Sequence, residues 1–566
     1  METTYKLLKK PIEYLSVGVS SIVFLILQLR LYGETWSAPF TKGGDADFHF
    51  IMVRTIQKTG WIFENPQLGS PKTSRIYDVP QGGDNLHWLM MKAISYFASA
   101  VVTVNLYFVL SFAIVSIAAY GSARWYGLSR LSSYFISILY AFLPYHFYRG
   151  ENHLLLSMYF VIPIAVVFAY KTCTVNSRYN RWLIGLFAAV VASTGAYYFI
   201  FTLMLVGFAF VINLLNKNKA MLKQQLFFIF ISTGVFIFNQ IPTIIFVLKN
   251  GSNSKAAVRS IADAESYGLQ ITDMFTPRTD HRIPFFARIA KTIYSTGISS
   301  EAGQSIGMIA SLGIIFLLLF TIKSVIQSKP LPSESKFFAL YVTAIMLFTV
   351  SSGPTLIVGI LGFTQIRSWN RVVVIIAFIG LLCFGYYIDK FRNRISSDVI
   401  KYIYTTGVLI VLLLGFLDLT SNADLFYTKG NALKIKNDCD IIKMIDEKKP
   451  KTPNVFQFPY IAYPEGEDLF DLKHYDQAMQ ILCDTNLNFS FGAMVGRDDQ
   501  LQKSLSTRTV LNDNDISKLK SNKFSVIEVY RSGYSDNGVV FEKSLKDKFG
   551  EPLVSNNGLI AAYFIN

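Results

Sequence analysis

Long apolar runs recur along most of this 566-residue chain, and they constrain its fold more than any other feature. A membrane-spanning helix needs about 20 mostly apolar residues. Charged residues make up only 16% of the chain, against about 25% in ordinary soluble domains. We therefore predict an α-helical polytopic membrane protein with about eleven transmembrane helices, which we place at residues 14–32, 100–120, 131–146, 154–170, 182–194, 196–214, 225–247, 305–325, 337–356, 372–389 and 402–421.

Two of these predicted spans are separated by a short break. The stretch from Trp182 to Leu215 is too long for one untilted span and is interrupted at Ser193-Thr194-Gly195. Cations flank both of its ends, so two short helices that turn at the far side of the membrane fit the charges better than one long helix. The first run, 14–32, has a basic flank without a clear small-residue cleavage site, and we expect it to be a retained helix.

The basic residues predict the orientation of the chain. They cluster in alternate loops of the eleven-helix scheme, and the positive-inside rule assigns those loops to the cytoplasm. The clusters are Lys6, Lys9 and Lys10; Arg124 and Arg130; Lys171, Arg178 and Arg181; Lys217, Lys219 and Lys223; Lys323, Lys329 and Lys336; and Lys390, Arg392, Arg394 and Lys401. We expect a plasma (inner) membrane protein with a cytoplasmic N-terminus, in which the formal charge of +15 reflects topology and not nucleic-acid binding.

Three long polar stretches then fall on the external side, at 33–99, 248–304 and 422–566. We predict a transmembrane core over 1–421 that carries external loops 33–99 and 248–304, followed by an external soluble domain over 422–566. Within the first loop, Pro80 and the Gly82-Gly83 pair predict turns, and an apolar helix is expected after Asn85.

The composition changes after about residue 422, where charged residues return and apolar runs shorten. β-rich pieces at 454–458, 524–529 and 559–564 alternate with helical patches at 508–521 and 541–549. This pattern predicts an α/β or α+β domain. Cys439 and Cys483 both lie in it, so an external location permits a disulfide, although two free buried cysteines fit the sequence equally well.

The first external loop contains Gly43-Gly44-Asp45-Ala46-Asp47-Phe48-His49. Carboxylates at a bilayer surface can bind a metal, pair with a cation or accept a proton from a substrate hydroxyl. The alternative is structural, because Asp45 or Asp47 could cap a helix that starts near Phe48.

Three other segments on the same side carry candidate binding residues. Pro144 to His153 forms a turn with His146, Arg149, Glu151 and His153, for which interfacial anchoring is the alternative. The segment from Arg259 to Arg288 includes the candidate Glu265, and an ordinary solvated loop is the alternative. Arg367 and Arg371 are four residues apart at the start of the tenth helix, which predicts that they share one helical face and could hold an anionic phosphate. Ordinary lipid headgroup binding is the alternative.

Other chemistries lack a signature in the sequence. We find no Walker glycine loop, no nucleophile elbow and no cysteine or histidine spacing typical of a metal site. His49 with Asp45 and Asp47 is the one local set that could hold a metal, and three residues make a weak motif.

With these features, the chain resembles the GT-C superfamily of integral membrane glycosyltransferases, specifically bacterial members that use polyprenyl-phosphate sugars. Asp45-Ala46-Asp47 is similar to the acidic motif of the family, Pro144 to Tyr159 to its second-loop segment, and Arg367-Ser368-Trp369-Asn370-Arg371 to its Arg-x-x-Asn-Arg element. In the external tail, Phe458-Pro459-Tyr460 and Phe491 to Arg497 also resemble the tails of that group.

The resemblance implies that Asp45 or Asp47 activates the acceptor hydroxyl or binds a metal, and it does not choose between them. It implies no certain cofactor and leaves room for a divalent metal, Mg²⁺ or Mn²⁺. The implied partners are a polyprenyl-phosphate sugar donor, a cell-envelope glycan acceptor, membrane lipid and a separate donor synthase and flippase. The substrate-binding candidates are His49, His146, Arg149, Glu151, His153, Glu265, Arg367, Asn370 and Arg371.

Our leading hypothesis is thus a hexosyltransferase-type membrane enzyme that modifies a cell-envelope polysaccharide such as O-antigen or teichoic acid. The second hypothesis is a transporter or flippase of lipid-linked sugars, which would need ionisable residues and broken helices near the bilayer midplane. A non-catalytic assembly or receptor protein is the third.

Overall fold

The computed structural model describes residues 2–79, 83–175, 178–296, 301, 303–448 and 450–565, with side chains from residue 11 onward. The turns expected at Pro80 and Gly82 lie outside the described residues. Helices dominate the first three quarters of the chain, and a small sheet lies near its C-terminus.

The helices up to residue 419 fall within or between the predicted apolar runs. They are α1 (Glu2–Leu29), α2 (Asp45–Thr59), α3 (Asn85–Ser95), α4 (Ala100–Tyr126), α5 (Arg130–Ala141), α6 (Pro144–Arg149), α7 (Leu154–Ser157), α8 (Val161–Thr174), α9 (Arg181–Val191), α10 (Ala196–Leu215), α11 (Lys219–Asn250), α12 (Ala262–Ser266), α13 (Ile271–Phe275), α14 (Pro284–Ser295), α15 (Gly307–Ile326), α16 (Ser333–Thr349), α17 (Thr355–Ile360), α18 (Val373–Arg392) and α19 (Asp398–Leu419).

Seven helices in the described part of the chain are long and apolar enough to cross a membrane. They are α1 from Pro11, α4, α10, α11, α15, α18 with the 3-10 turn before it, and α19. Each predicted run contains at least one helix, but α8 and α9 are shorter apolar helices. The helical, membrane-type fold is therefore supported, whereas the count of about eleven spans is not confirmed.

The bundle is built around α4 and α18. Both helices are apolar on every face, and most of their side chains are accordingly buried. Helix α4 packs against α1, α5 and α8, and α18 packs against α15. Gly313 of α15 lies directly against Gly380 of α18, where an added Cβ would come within 1.9 Å of the Gly380 carbonyl oxygen. Small residues at this crossing let the two backbones touch, as is common between membrane helices.

The break predicted between the fifth and sixth runs is confirmed. Helix α9 ends at Val191 and α10 begins at Ala196, with Gly195 between them at a φ of 102°, which favours glycine. The Gly195 amide donates to the Gly83 carbonyl at 2.6 Å. The turn therefore fixes the first loop, at the Asp84 end, against the helix pair.

The C-terminal region contains a five-stranded mixed sheet. Helices α20 (Thr428–Glu447), α21 (Gln500–Leu505), α22 (Asp513–Ser521) and α23 (Val539–Phe549) accompany strands β3 (Asn454–Phe458), β4 (Asn488–Phe489), β5 (Phe524–Tyr530), β6 (Leu553–Val554) and β7 (Ile560–Phe564); β1 (Glu64–Asn65) and β2 (Ser74–Arg75) form a separate hairpin. The strand order is β4-β3-β5-β7-β6, in which β3 is parallel to β4 and β5. The predicted strands are confirmed almost residue for residue because each combines β-branched and aromatic residues.

A disulfide joins Cys439 of α20 to Cys483, so the pairing that the sequence left open is made. The bond fixes the segment that follows the 3-10 helix Asp476–Leu482. The 3-10 helix itself packs on α2, where the Arg54 Nε donates to the Ile481 carbonyl at 3.0 Å. The C-terminal region is in this way attached to the helix that begins with the acidic motif.

Candidate functional site

The acidic motif forms the first turn of α2. Gly43 and Gly44 have φ values of 98° and 60°, and Gly44 is the N-cap of a helix whose first residue is Asp45. The expectation that Asp45 or Asp47 caps a helix starting near Phe48 is therefore wrong. Two carboxylates in the first turn still suit the positive end of the helix dipole.

Asp45 is the carboxylate that faces open space. Its side chain is 52% exposed, and its Oδ2 lies 3.3 Å from the Nδ1 of His153. Burial alone would raise the pKa of the Asp45 carboxyl, but the hydrogen bond and charge of His153, with more distant His49 and His474, hold that pKa below its ordinary value. Asp45 is accordingly an ionised carboxylate at neutral pH.

Asp47 has the opposite environment. Its side chain is fully buried, and neither oxygen makes a well-formed hydrogen bond, although the Gly43 backbone and the charge of Lys42 act on it. Burial raises the pKa of the Asp47 carboxyl to about 6. Residues two apart on a helix point about 200° away from each other, which explains why the two carboxylates do not converge.

Two connected cavities meet at Asp45. The larger, of about 650 Å³, includes Lys42, Arg149, Lys434 and His474, and we call it the polar lobe. The smaller, of about 340 Å³, combines apolar side chains with Arg259, Arg367 and Arg371, and we call it the arginine lobe. Asp45, Asn152 and His153 line both lobes, so together the lobes form one cleft with Asp45 at its junction.

The arginine lobe contains both arginines of the predicted Arg-x-x-Asn-Arg element. Arg371 lies 4.3 Å from the centre of the Tyr197 ring, and its Nε is buried without a hydrogen-bond partner. Arg367 pairs with Asp263 at 3.2 Å. The prediction that the two arginines share a helical face is wrong, because α18 begins only at Val373 and Arg367 precedes the 3-10 turn Trp369–Val372.

Glu301 connects the two lobes and was missed by the sequence analysis. It forms an ion pair with Arg149 at 2.5 Å, accepts a hydrogen bond from Asn370 at 3.1 Å and lies 3.9 Å from Arg371. Burial opposes its ionisation, but Arg149 and Arg371 lower the pKa of the Glu301 carboxyl to about 2. The sequence feature that could have indicated Glu301 is its position as a lone acid just before the apolar run at 305–325.

Three of the predicted binding residues lie away from the cleft. His146 is fully buried, with Nε2 at 2.7 Å from the Ser111 hydroxyl and Nδ1 at 2.9 Å from the Ala141 carbonyl. Glu151 is buried and accepts a hydrogen bond from the Thr41 amide at 2.7 Å. Burial raises the pKa of the Glu151 carboxyl to about 8. Glu265 accepts a hydrogen bond from the Ser352 hydroxyl at 2.8 Å. The structure therefore does not bring these three residues to the cleft, contrary to the prediction that they line one binding site.

His49 lines the arginine lobe beside Asp84, and burial lowers the pKa of its imidazole to about 4. Within the part of the chain that the structure describes, no group of three or more His, Cys, Asp or Glu side chains could hold a metal ion. Asp45, Asp47 and His49 thus do not form the predicted ligand set, because Asp47 is sealed away from the cleft.

The C-terminal region contributes one wall of the polar lobe through Asp468, Lys473, His474 and Asp476. Asp476 pairs with Lys42 at 2.8 Å, and His474 lies 3.0 Å from Asp468. These residues were also missed. Their density of charge between 468 and 476 was the available signal, but no sequence pattern indicated that the tail folds back over Asp45.

The fold is similar to that of a solved membrane glycosyltransferase, which agrees at the level of the fold with the resemblance read from the sequence. The cryo-EM structure of the arabinofuranosyltransferase AftD from Mycobacteria superposes with a TM-score of 0.53 and 14% identity, covering 98% of this chain and 40% of that one. The archaeal oligosaccharyltransferase AglB from Archaeoglobus fulgidus gives a TM-score of 0.48 and 11% identity, covering 97% of this chain and 74% of that one.

The chain thus spans less than half the length of AftD. No protein-family model matches the sequence, and no curated protein matches it.

The opposite environments of the two carboxylates predict opposite effects of Asn substitution on stability. The pKa of Asp47 is raised from 3.8 to about 6, so its ionisation costs folding free energy that appears as pH rises from 4 to 6. Asp47→Asn should therefore stabilise the protein at pH 7 by up to about 3 kcal/mol and have little effect at pH 4. Thermal unfolding from pH 4 to 7 measures this difference.

Asp45→Asn is the matched control. Because the pKa of Asp45 is lowered, its ionised form stabilises the fold above pH 4, and that contribution is lost as pH falls. This variant should be less stable than the parent protein at pH 7. The same sign of effect for both substitutions would contradict the assignment of their environments.

Proposed function

We propose that this protein is an integral membrane glycosyltransferase that transfers a sugar, a hexose on undecaprenyl phosphate or a similar lipid, to a hydroxyl of a cell-envelope glycan such as O-antigen or teichoic acid. The observation that carries the proposal is the position of Asp45, an ionised carboxylate at the junction of an arginine lobe and a polar lobe. The GT-C fold supports the same class of reaction.

The arginine lobe suits the donor phosphate. Leu155, Leu156 and Ile366 supply apolar surface beside Arg367 and Arg371. Arg149 and Arg371 share the single carboxylate of Glu301, whereas Arg367 and Arg259 each have a carboxylate partner. Arg371, whose Nε is buried without a hydrogen-bond partner, is therefore the cation best placed to bind a phosphodiester next to an apolar chain.

The polar lobe suits a carbohydrate acceptor. Its wall carries carboxylates, lysines, histidines and Tyr148, which are groups that hydrogen-bond or stack on sugars. The lobe holds about 650 Å³, within the usual size range of small-ligand pockets. An acceptor in this lobe would present a hydroxyl to Asp45 from the side opposite the donor.

The proposed chemistry needs one proton acceptor and one stabilised leaving group. Asp45 accepts the proton of the acceptor hydroxyl, whose oxygen forms a bond to the anomeric carbon while the bond between that carbon and the phosphate oxygen breaks. Arg371 and Arg367 stabilise the charge that develops on the departing polyprenyl phosphate. The pair with His153 keeps Asp45 ionised and oriented.

We expect Asp45→Asn to reduce sugar transfer by about 100-fold to 10,000-fold while donor binding persists, since Asn keeps the size but not the basicity of the carboxylate. Asp47→Asn, the same change two residues later, should cause a much smaller loss. Purified protein, a panel of radiolabelled polyprenyl-phosphate sugars and cell-envelope fractions provide the assay. Parent-level transfer by Asp45→Asn would refute the role of Asp45, as would a loss confined to Asp47→Asn.

We also propose that the cleft faces the external side of the plasma membrane, where a separate synthase and flippase would have to supply the donor. The alternating basic loops support this orientation, and so does the disulfide between Cys439 and Cys483, since such bonds persist in oxidising compartments.

A reporter enzyme fused after residue 430 tests the orientation. Alkaline phosphatase, which is active only outside the cytoplasm, should be active at this position, and a cytoplasm-dependent fluorescent protein should be dark. A fusion after residue 218, in a predicted cytoplasmic loop, is the matched control with the reverse pattern. Fluorescence at 430 would place the C-terminal region in the cytoplasm and overturn the proposal.

A further inference from the structure

A third cavity of about 600 Å³ lies beside α2 and is separate from the cleft. It is enclosed by the second half of α2, the end of α3 and the start of α4, and Ile435 and Leu482 of the C-terminal region complete its wall. It shares no lining residue with either lobe of the cleft. We call it the side cavity, and the reaction proposed above makes no use of it.

The side cavity is positively charged. Arg54 and Lys92 line it, and no aspartate or glutamate is among its lining residues in the described chain. The nearest carboxylate to Arg54 is Asp484, at 3.9 Å and fully exposed to solvent, where an ion pair contributes little. Two cations in a concave site without a buried carboxylate favour an anionic ligand.

Uncharged backbone carbonyl groups accept hydrogen bonds from both cations and hold them in place. The Arg54 Nε donates to the Ile481 carbonyl at 3.0 Å, and the Lys92 Nζ donates to the Gly60 carbonyl at 2.8 Å. Carbonyl oxygens orient these side chains but do not cancel their charge. The Arg54 side chain is only 19% exposed, so its guanidinium acts where water screens it less than at the open surface. The remaining N–H groups of both side chains are donors that suit phosphate oxygens.

The position of the side cavity indicates where such a phosphate comes from. Ala100 and Val101, which open the membrane-type helix α4, form part of its wall. Tyr96 and Phe97, which lie four and three residues before Ala100, are 71% and 94% exposed. Exposed aromatic residues at the start of a membrane helix are typical of the lipid–water interface. This placement predicts that the side cavity lies at the depth of lipid head groups.

Hydroxyl groups in the lining of the side cavity also suit a phosphate head group. Ser37, Ser95 and Ser99 line it together with Arg54 and Lys92. Serine hydroxyls can donate to a phosphate or pair with a glycerol hydroxyl, whereas they offer nothing to a quaternary ammonium group. The lining thus favours a head group with a phosphate and hydroxyls over a choline head group.

We propose that the side cavity is a binding site for the phosphate head group of an anionic membrane lipid, with Arg54 and Lys92 holding the phosphate. The same chemistry would accept free phosphate, and the two sources are separated in the experiment below. Because Arg54 belongs to the helix that begins with Asp45, a bound lipid would connect α2 to α3 and α4 at the membrane surface. The site is independent of the glycosyl-transfer proposal.

The experiment measures lipid retention by the purified full-length chain in neutral detergent, using native mass spectrometry. We expect phosphatidylglycerol to bind about tenfold more tightly than phosphatidylcholine, and Arg54→Gln with Lys92→Gln to abolish that preference. Lys58→Gln removes an exposed charge from the same helix outside the cavity and should keep the preference.

Other results would overturn the proposal. An unchanged preference in the double variant would show that the side cavity does not bind the lipid, and an equal loss in Lys58→Gln would show diffuse surface charge. Displacement of phosphatidylglycerol by millimolar inorganic phosphate would make the site one for free phosphate. If the double variant does not fold, Lys92→Gln alone decides, since it keeps the bond from Arg54 to Ile481 and should still weaken the preference about threefold.

Discussion

The cleft depends on the first turn of α2, where burial raises the pKa of one carboxyl while a neighbouring histidine holds that of the other down. Asp45 keeps its charge because it opens to the cleft and pairs with His153, whereas Asp47 is sealed among protein groups and its pKa is raised to about 6. The geometry of a helix requires this separation, since residues two apart cannot face the same cavity. Asp45 is thereby open to the cleft, whereas Asp47 is buried within reach of the positive charge of Lys42.

Charge balance organises the remainder of the cleft. Glu301 lies between Arg149 and Arg371 and so places one carboxylate beside two guanidinium groups. The C-terminal region then supplies the opposite wall and is held against α2 through Lys42 and Arg54. The site is therefore composite, and neither the helical bundle nor the C-terminal region forms it alone.

Local patterns in the sequence predicted much of this structure. The apolar runs located the helices, the break at Ser193 to Gly195 was placed correctly, and the strands at 454–458 and 524–530 followed from β-rich composition. Asp45 of the acidic motif and the pair Arg367 and Arg371 line the cleft, as the sequence suggested.

The failures involve contacts between distant parts of the chain. Glu301 and the polar segment 468–476 reach the cleft only through tertiary folding, which no local periodicity encodes. His146 and Glu151 look equally functional in the sequence, but burial assigns them to the core. The start of α2 was misplaced because a glycine with positive φ, and not an aspartate, precedes the helix.

The most direct test of the central claim is the binding of undecaprenyl phosphate to the purified chain, compared among Arg371→Gln, Asp45→Asn and the exposed control Arg288→Gln. If the cleft divides its work as we describe, Arg371→Gln should bind about tenfold or more weakly, because a charge-assisted hydrogen bond is lost. Asp45→Asn and Arg288→Gln should bind like the parent protein. Parent-like binding by Arg371→Gln, or loss of binding in Asp45→Asn, would contradict the account.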